Sequence, residues 1–232
     1  MFDFDFSQQD GYIAKVLNGT ANNGASTYGN AITDVNAEIS QYTDSYIDAP
    51  FYTNHDMGRS AGYYNGDFEE EKTKMAQAMN LLMQGNAFLY YGEEIGMRGA
   101  ANDETKRLGM RWTEDADAKG MCAGPKDAKE TEQTYEALDK QIKDPYSIYN
   151  FVKQTIAIRN AFPEIARGTN TFEKDLSDEK LCVFTREYNG EKVVLIFNPS
   201  QEKASVDVSL LGVKEEVAML QTTEKAPGFK DG

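Results

Sequence analysis

The sequence predicts an α/β region of parallel strands covered by helices, followed by a small antiparallel β domain. Two observations carry that prediction. Short strand-like runs at Phe2 to Phe6, Phe51 to Thr53 and Ala87 to Tyr91 alternate with stretches of helical periodicity. Strand, helix, strand, helix, strand is the pattern of a parallel sheet with helices on its faces. After Gly168 it gives way to two runs, Leu181 to Tyr188 and Lys192 to Phe197, joined by Asn189-Gly190. That dipeptide between two apolar runs is the strongest short-range hairpin signal. The boundary falls between residues 165 and 170.

Taken in order, Phe2, Phe4 and Phe6 against Asp3 and Asp5 give a period of two, hence a strand. Ser7 can cap a helix carrying Tyr12, Ile13, Val16 and Leu17 on one face and ending near Gly19. Asn22 to Gly29 reads as a loop, and Ile32, Val35, Ile39 and Tyr42 form the stripe of a second helix. Phe51 to Thr53 is a buried strand running into a polar cluster, Asn54, His55, Asp56 and Arg59. A strand ending in polar side chains is how an α/β barrel presents chemistry. Asp67 with Glu70 forms a capping-box pattern for a helix that buries Met75, Met79, Leu82 and Met83, and Gly85 stops it. Ala87 to Tyr91 is a continuous apolar strand. The polar stretch 99–143 reads either as an excursion over the barrel mouth or as partly disordered; its length favours a rim with some helix of its own, expected to be among the most mobile regions. Asp144 and Pro145 open a helix carrying Ile148, Phe151, Val152, Thr155 and Ile156. Val206 to Leu210 and Glu216 to Leu220 read as further short strands.

Composition bounds the function. The 232 residues suffice for one large and one small domain, and 40% hydrophobic residues argue against wholesale disorder. With 24 basic against 38 acidic residues the net charge is −14, which argues against nucleic acid and anionic membranes as partners. No apolar run approaches membrane-spanning length, and Met1 opens directly onto a strand-like segment, so no signal peptide is expected at this start. Cys122 and Cys182 lie in no metal-like spacing and read as free thiols. His55 is the only histidine, so no site built from two histidines is available.

Four stretches together resemble the α-amylase family of glycoside hydrolases, whose catalytic domain is a (β/α)8 TIM barrel followed by a small antiparallel β-sandwich. FYTNHDMGRS at 51–60 resembles the family's last catalytic motif, at the end of the seventh barrel strand, and NAFLYYGEEIGMRG at 86–99 its eighth strand and following turn. KRLGMRW at 106–112 resembles the Arg-to-Trp segment of the last barrel loop. DPYSIYNFVKQTIAIRNAFPEIARG at 144–168 resembles the final barrel helix and the step into the β domain. By the same alignment FDFDF resembles the sixth strand. The resemblance implies a C-terminal part of the barrel over 1–166 and a β domain over 167–232 lacking its last strand. The segments carrying the nucleophile and the acid/base carboxyl are absent, so the chain alone is expected to be inactive.

For the surviving residues the resemblance implies a transition-state stabiliser in Asp56 and sugar contacts from His55. Arg59 is expected to keep Asp56 ionised and to touch the sugar, and Trp112 to stack on a sugar face or anchor the loop. Asn54 would orient the strand end. Glu93 and Glu94 read as readily as a cap or a rim hydrogen bond as an acid/base pair. The implied parent is a retaining hydrolase of α-glucosidic bonds in starch-like glucans or malto-oligosaccharides. The alternatives are a non-catalytic carbohydrate-binding or interaction protein and an α-1,6-cleaving or transglycosylating relative. No cofactor is certain. Calcium, common in the family, would be held by the parent's other segments, and an extracellular or cell-envelope location rests on analogy alone. Self-association, or pairing with the missing N-terminal barrel half, is expected to cover the open barrel edge.

Overall fold

A computed structural model describes residues 2–214, 218–223 and 228–229. Strand β1 (Phe2–Asp3) pairs in parallel with β2 (Ala49–Pro50), Phe2 opposite Ala49. Phe51 forms a parallel bridge to Phe88. The three predicted runs therefore do lie side by side and parallel, but as much shorter strands than their sequences imply. β1 stops at Asp3 because the Asp3 Oδ1 accepts the Asp5 N–H at 2.9 Å and the chain turns, with Ser7 N–H on the Phe4 carbonyl at 3.0 Å. Phe2, Phe4 and Phe88 are 55%, 57% and 39% exposed, and their rings cluster edge-on with each other and with buried Phe51. This is one open aromatic face along the strands.

Helices α1 (Tyr12–Leu17) and α2 (Ser26–Ser40) connect β1 to β2. Ser7 does not cap α1; its hydroxyl donates to the Phe4 carbonyl instead, and Gly11 precedes the helix. α2 begins inside the predicted loop, and Tyr42, placed on its buried stripe by periodicity, lies beyond its end and is exposed. α3 (Glu69–Leu81) follows β2 and buries Ala76 and Met79, with Leu82 and Met83 buried just beyond. The Asp67–Glu70 capping box is not made, because Phe68 enters the helix in the left-handed region (φ 62°) and turns Asp67 away from it. Glu69, Glu70 and Glu71 instead bring negative charge to the first turn, where the helix dipole favours it. At the other end Arg159 donates to the carbonyls of Leu81, Met83 and Gly85. Those carbonyls have no partner within the helix, and a cation there suits both the hydrogen bonds and the dipole.

Arg159 belongs to α5 (Ile148–Ala161), which follows the single turn α4 (Leu138–Gln141). The Ser147 hydroxyl, not Asp144, caps α5, accepting the Asn150 N–H at 3.2 Å. Pro163 sits in the first turn of α6 (Pro163–Arg167), where its missing N–H costs nothing. The antiparallel sheet runs β3 (Thr169–Phe172), β4 (Cys182–Tyr188) and β5 (Glu191–Phe197), in spatial order β3-β4-β5. The β4–β5 turn is Asn189 (φ 53°) and Gly190 (φ 86°), the left-handed pair that matches strand twist. A short pair, β6 (Ala218–Met219) with β7 (Gly228–Phe229), follows. The expected strand at Val206 to Leu210 is absent; Ser209–Leu211 makes a turn of 3-10 helix there. Of the expected strand Glu216 to Leu220, residues 216 and 217 lie outside the described residues.

One core runs through helices and sheet alike. Tyr28 on α2 is 1% exposed, with Phe6, Phe184 and Phe197 rings at 5.9, 5.8 and 5.8 Å, and its hydroxyl donates to the Met79 carbonyl at 2.6 Å. Next to it Gly29 is required: a Cβ would lie 2.2 Å from the Phe172 ring. Cys182 is buried in this core, and burial pushes its thiol up to about 12, whereas Cys122 is exposed. No helix among the described residues is long and apolar enough to cross a membrane.

Asp3 ends β1 almost buried, with its second carboxylate oxygen unpartnered. Burial raises its pKa to about 6, Asp48, Asp5 and Glu38 add to the rise, and the Asp5 N–H opposes it. A carboxyl raised in the folded state favours folding while protonated. Its contribution is therefore full below about pH 4 and lost as pH rises through about 6. Asp3→Asn should stabilise the chain at pH 8 by on the order of 1–2 kcal/mol, allowing for partial solvent screening, and change little at pH 4.5. Thermal melts at the two pH values check this; equal gains at both would refute it.

Candidate functional site

The polar cluster sits where the sequence places it, in the turn that leaves β2 and Phe51. Asn54 Oδ1 accepts the Asp56 N–H at 2.8 Å, a local turn that fixes the backbone of the pair His55-Asp56. Both side chains face solvent, 61% and 66% exposed, with His55 Nε2 3.4 Å from Asp56 Oδ1. The expected Arg59–Asp56 pair is corrected by the structure. Arg107 makes that ion pair, its Nη2 3.0 Å from Asp56 Oδ1, and Lys106 Nζ donates to the Asp56 carbonyl at 2.9 Å. Arg59 points the other way and is 1% exposed, so it presents no face to a sugar. Its guanidinium lies 4.8 and 4.7 Å from the Tyr90 and Tyr91 ring centres and donates to the Tyr91 carbonyl. Flat stacking on aromatic faces suits the delocalised cation.

Behind the turn lies a polar cluster that sequence reasoning left open. Glu93 is 2% exposed; its Oε1 accepts the Ser60 N–H at 3.2 Å, and its Oε2 accepts the Ser60 hydroxyl and the Gln77 Nε2 at 3.1 Å. Burial pushes the Glu93 carboxyl up, and the Ser60 hydroxyl, the Arg59 charge, the Ser60 N–H and the Thr53 hydroxyl pull it down. Glu94, beside it, takes no part in this cluster.

The stretch 99–143 is a folded rim, as expected, with Glu104–Arg107 and α4 as its helical turns. Gln133 bonds both the N–H and the carbonyl of Arg98 at 2.9 Å, and Gln141 Nε2 donates to the Ile95 carbonyl at 2.8 Å. Tyr90 and Tyr91 donate to the carbonyls of Lys106 and Leu108 at 3.0 and 2.8 Å. These bonds bring Arg107 over Asp56. Trp112, on the same rim, is 51% exposed, while its carbonyl accepts the Asp139 N–H at 3.0 Å. The backbone anchors α4 and leaves the ring open. Arg107 was visible as the first of two Arg in KRLGMRW, but nothing local in that segment joins it to a residue 51 positions earlier. Among the described residues no group of three or more His, Cys, Asp or Glu side chains is placed to hold a metal ion.

Parallel strands with covering helices, ending in an exposed His-Asp pair under a folded rim, are the parts of an α/β barrel. The chain belongs to the α-amylase family: the family model "Alpha amylase, catalytic domain" matches residues 2–168. It superposes on the structure of Eubacterium rectale Amy13B with a TM-score of 0.96 at 81% identity, covering 100% of this chain and 45% of that one. It is 32% identical over 153 residues to alpha-amylase 3 of Dictyoglomus thermophilum, covering 66% of this chain and 30% of the relative. It is 28% identical over 171 residues to alpha-amylase SusG of Bacteroides thetaiotaomicron, covering 69% and 24%. The chain thus spans a quarter to a third of these curated relatives. Within the family fold its strands form part of a (β/α)8 barrel.

Proposed function

We propose that this chain is the C-terminal part of a retaining hydrolase of α-glucosidic bonds in starch-like glucans or malto-oligosaccharides. The observation that carries the reading is the exposed His55-Asp56 pair, fixed by Asn54 at a barrel strand's carboxyl end. In this reading Asp56 hydrogen-bonds the hydroxyls of the sugar at the scissile bond. Those bonds strengthen as the ring flattens toward an oxocarbenium-like state, so the stabilisation is differential. His55 donates to the same sugar, and the open ring of Trp112 offers a stacking surface at the rim. Arg107 makes the ion pair with Asp56 that the sequence had assigned to Arg59.

Retaining hydrolysis needs a nucleophile and an acid/base carboxyl about 5–5.5 Å apart. In this reading both come from barrel units outside the chain. Those units also cover the open face of Phe2, Phe4 and Phe88, and in their absence copies of the chain cover it for one another. The sheet β3-β4-β5 is one layer of a small β-sandwich. The purified 232-residue chain should therefore release no chromophore from a chromogenic maltoside, bind saccharide no tighter than about millimolar, and scatter light as more than a monomer. The full-length enzyme should cleave the same substrate. Turnover by the chain alone would mean that the catalytic carboxyls are misassigned. A full-length enzyme that binds but never cleaves would favour the carbohydrate-binding alternative. Comparing maltoside with isomaltoside in the same assay decides linkage.

A further inference from the structure

The turn carrying His55 and Asp56 begins after Thr53 and ends at Ser60, and one buried carboxylate, that of Glu93, grips its leaving end. There it accepts both the backbone N–H and the hydroxyl of Ser60. Gln77, from the middle of α3, donates to the same carboxylate oxygen and, at 3.2 Å, to the Ser60 Oγ. Glu93 itself is fixed between Gly92 (φ 86°) and Gly96 (φ 66°), in a turn of 3-10 helix that the Gly92–Met97 hydrogen bond closes. All of these groups are buried: Ser60 0%, Gln77 1% and Glu93 2% exposed.

We propose that Glu93 is a positioning residue for the reaction. It clamps the leaving end of the 54–59 turn and so sets where the Asp56 carboxylate stands, without touching substrate. The proposal rests on the reading of Asp56 given above. A carboxylate accepting several donors has a fixed orientation, and a buried one cannot exchange those donors for water. Without the clamp the turn keeps the Asn54 bonds to the Asp56 and Met57 N–H groups, the Tyr63 hydroxyl on the Gly58 carbonyl, and the Lys106 and Arg107 contacts on Asp56. The backbone N–H of Arg59, bonded to the Gly99 carbonyl at 3.0 Å, lies after it and also fixes the exit of the turn. A preorganised electrostatic contact loses its effect when displaced by about 1 Å, a change that can cost about a hundredfold in rate.

The test is a double-mutant cycle in the full-length enzyme with a chromogenic maltoside, on protein shown folded by circular dichroism. Glu93→Ala should lower kcat about tenfold to a hundredfold with KM within about threefold. In an Asp56→Asn background the same change should cost less than about threefold, because the group being positioned is already disabled. Ser60→Ala removes one hydroxyl of the clamp and no charge, and folds if Glu93→Ala does not. It should lower kcat about three- to tenfold in the wild-type background and leave Asp56→Asn unchanged. Equal factors in both backgrounds, or a wild-type-background loss below twofold, would overturn the positioning role. If Asp56→Asn alone costs nothing, the failure belongs to the assignment of Asp56, not to Glu93.

Discussion

Asp56→Asn in the full-length enzyme is expected to lower kcat about a hundred- to a thousandfold while KM stays within a few fold. Asparagine keeps the shape and the Asn54-fixed backbone, but removes the charge that, in the proposed function, meets the developing oxocarbenium ion. Losing one preorganised electrostatic contact of this kind typically costs about that much. The ground state loses less, because the contact tightens mainly in the transition state. Steady-state kinetics with a chromogenic maltoside reads both parameters. Turnover within threefold of wild type would show that the motif at 51–60 carries no catalytic charge in this protein.

Tyr28→Ala is expected to destabilise the chain by about 3–5 kcal/mol, the usual cost of emptying a large aromatic site. Tyr28 touches Phe6 beside the strands and Phe184 and Phe197 in the sheet, and ties to α3 through Met79, so the loss falls on every layer. Tyr28→Phe should cost about 1–2 kcal/mol, since only the bond to the Met79 carbonyl is lost. Because these layers share one core, far-ultraviolet and aromatic signals should fall in a single urea transition for both variants. A loss below 1 kcal/mol for the alanine variant, or two separate transitions, would contradict the continuous core.

What could be read from the sequence depended on how local each cause was. The Asn189-Gly190 hairpin was legible because two residues set its backbone and the flanking runs set its register. The helix at 148–161 was legible in its stripe, though its cap moved from Asp144 to Ser147, since either residue type can bond a helix N-terminus. Strand lengths were not. Phe4 and Phe6 keep a period of two beyond β1, but a side-chain bond from Asp3 turns the chain before the pattern ends. The Asp67–Glu70 box failed for a similar reason: Phe68 takes a left-handed backbone that no spacing rule anticipates. At the candidate site, His55 and Asp56 stand out through one contiguous motif. The groups that hold them do not, because Arg107 and Glu93 reach their partners across 51 and 33 residues.

The two thiols differ in a way that makes the protein its own reporter. Cys122 stands in solvent on the rim, and Cys182 is 1% exposed with its thiolate strongly disfavoured. Thiolate, not thiol, attacks disulfide reagents, so at neutral pH one equivalent of a chromogenic disulfide should be consumed quickly and a second only when the core opens. The slow phase then times unfolding with no label and no substitution. A probe placed on Cys122 would likewise follow the rim as a saccharide arrives, with the second site silent.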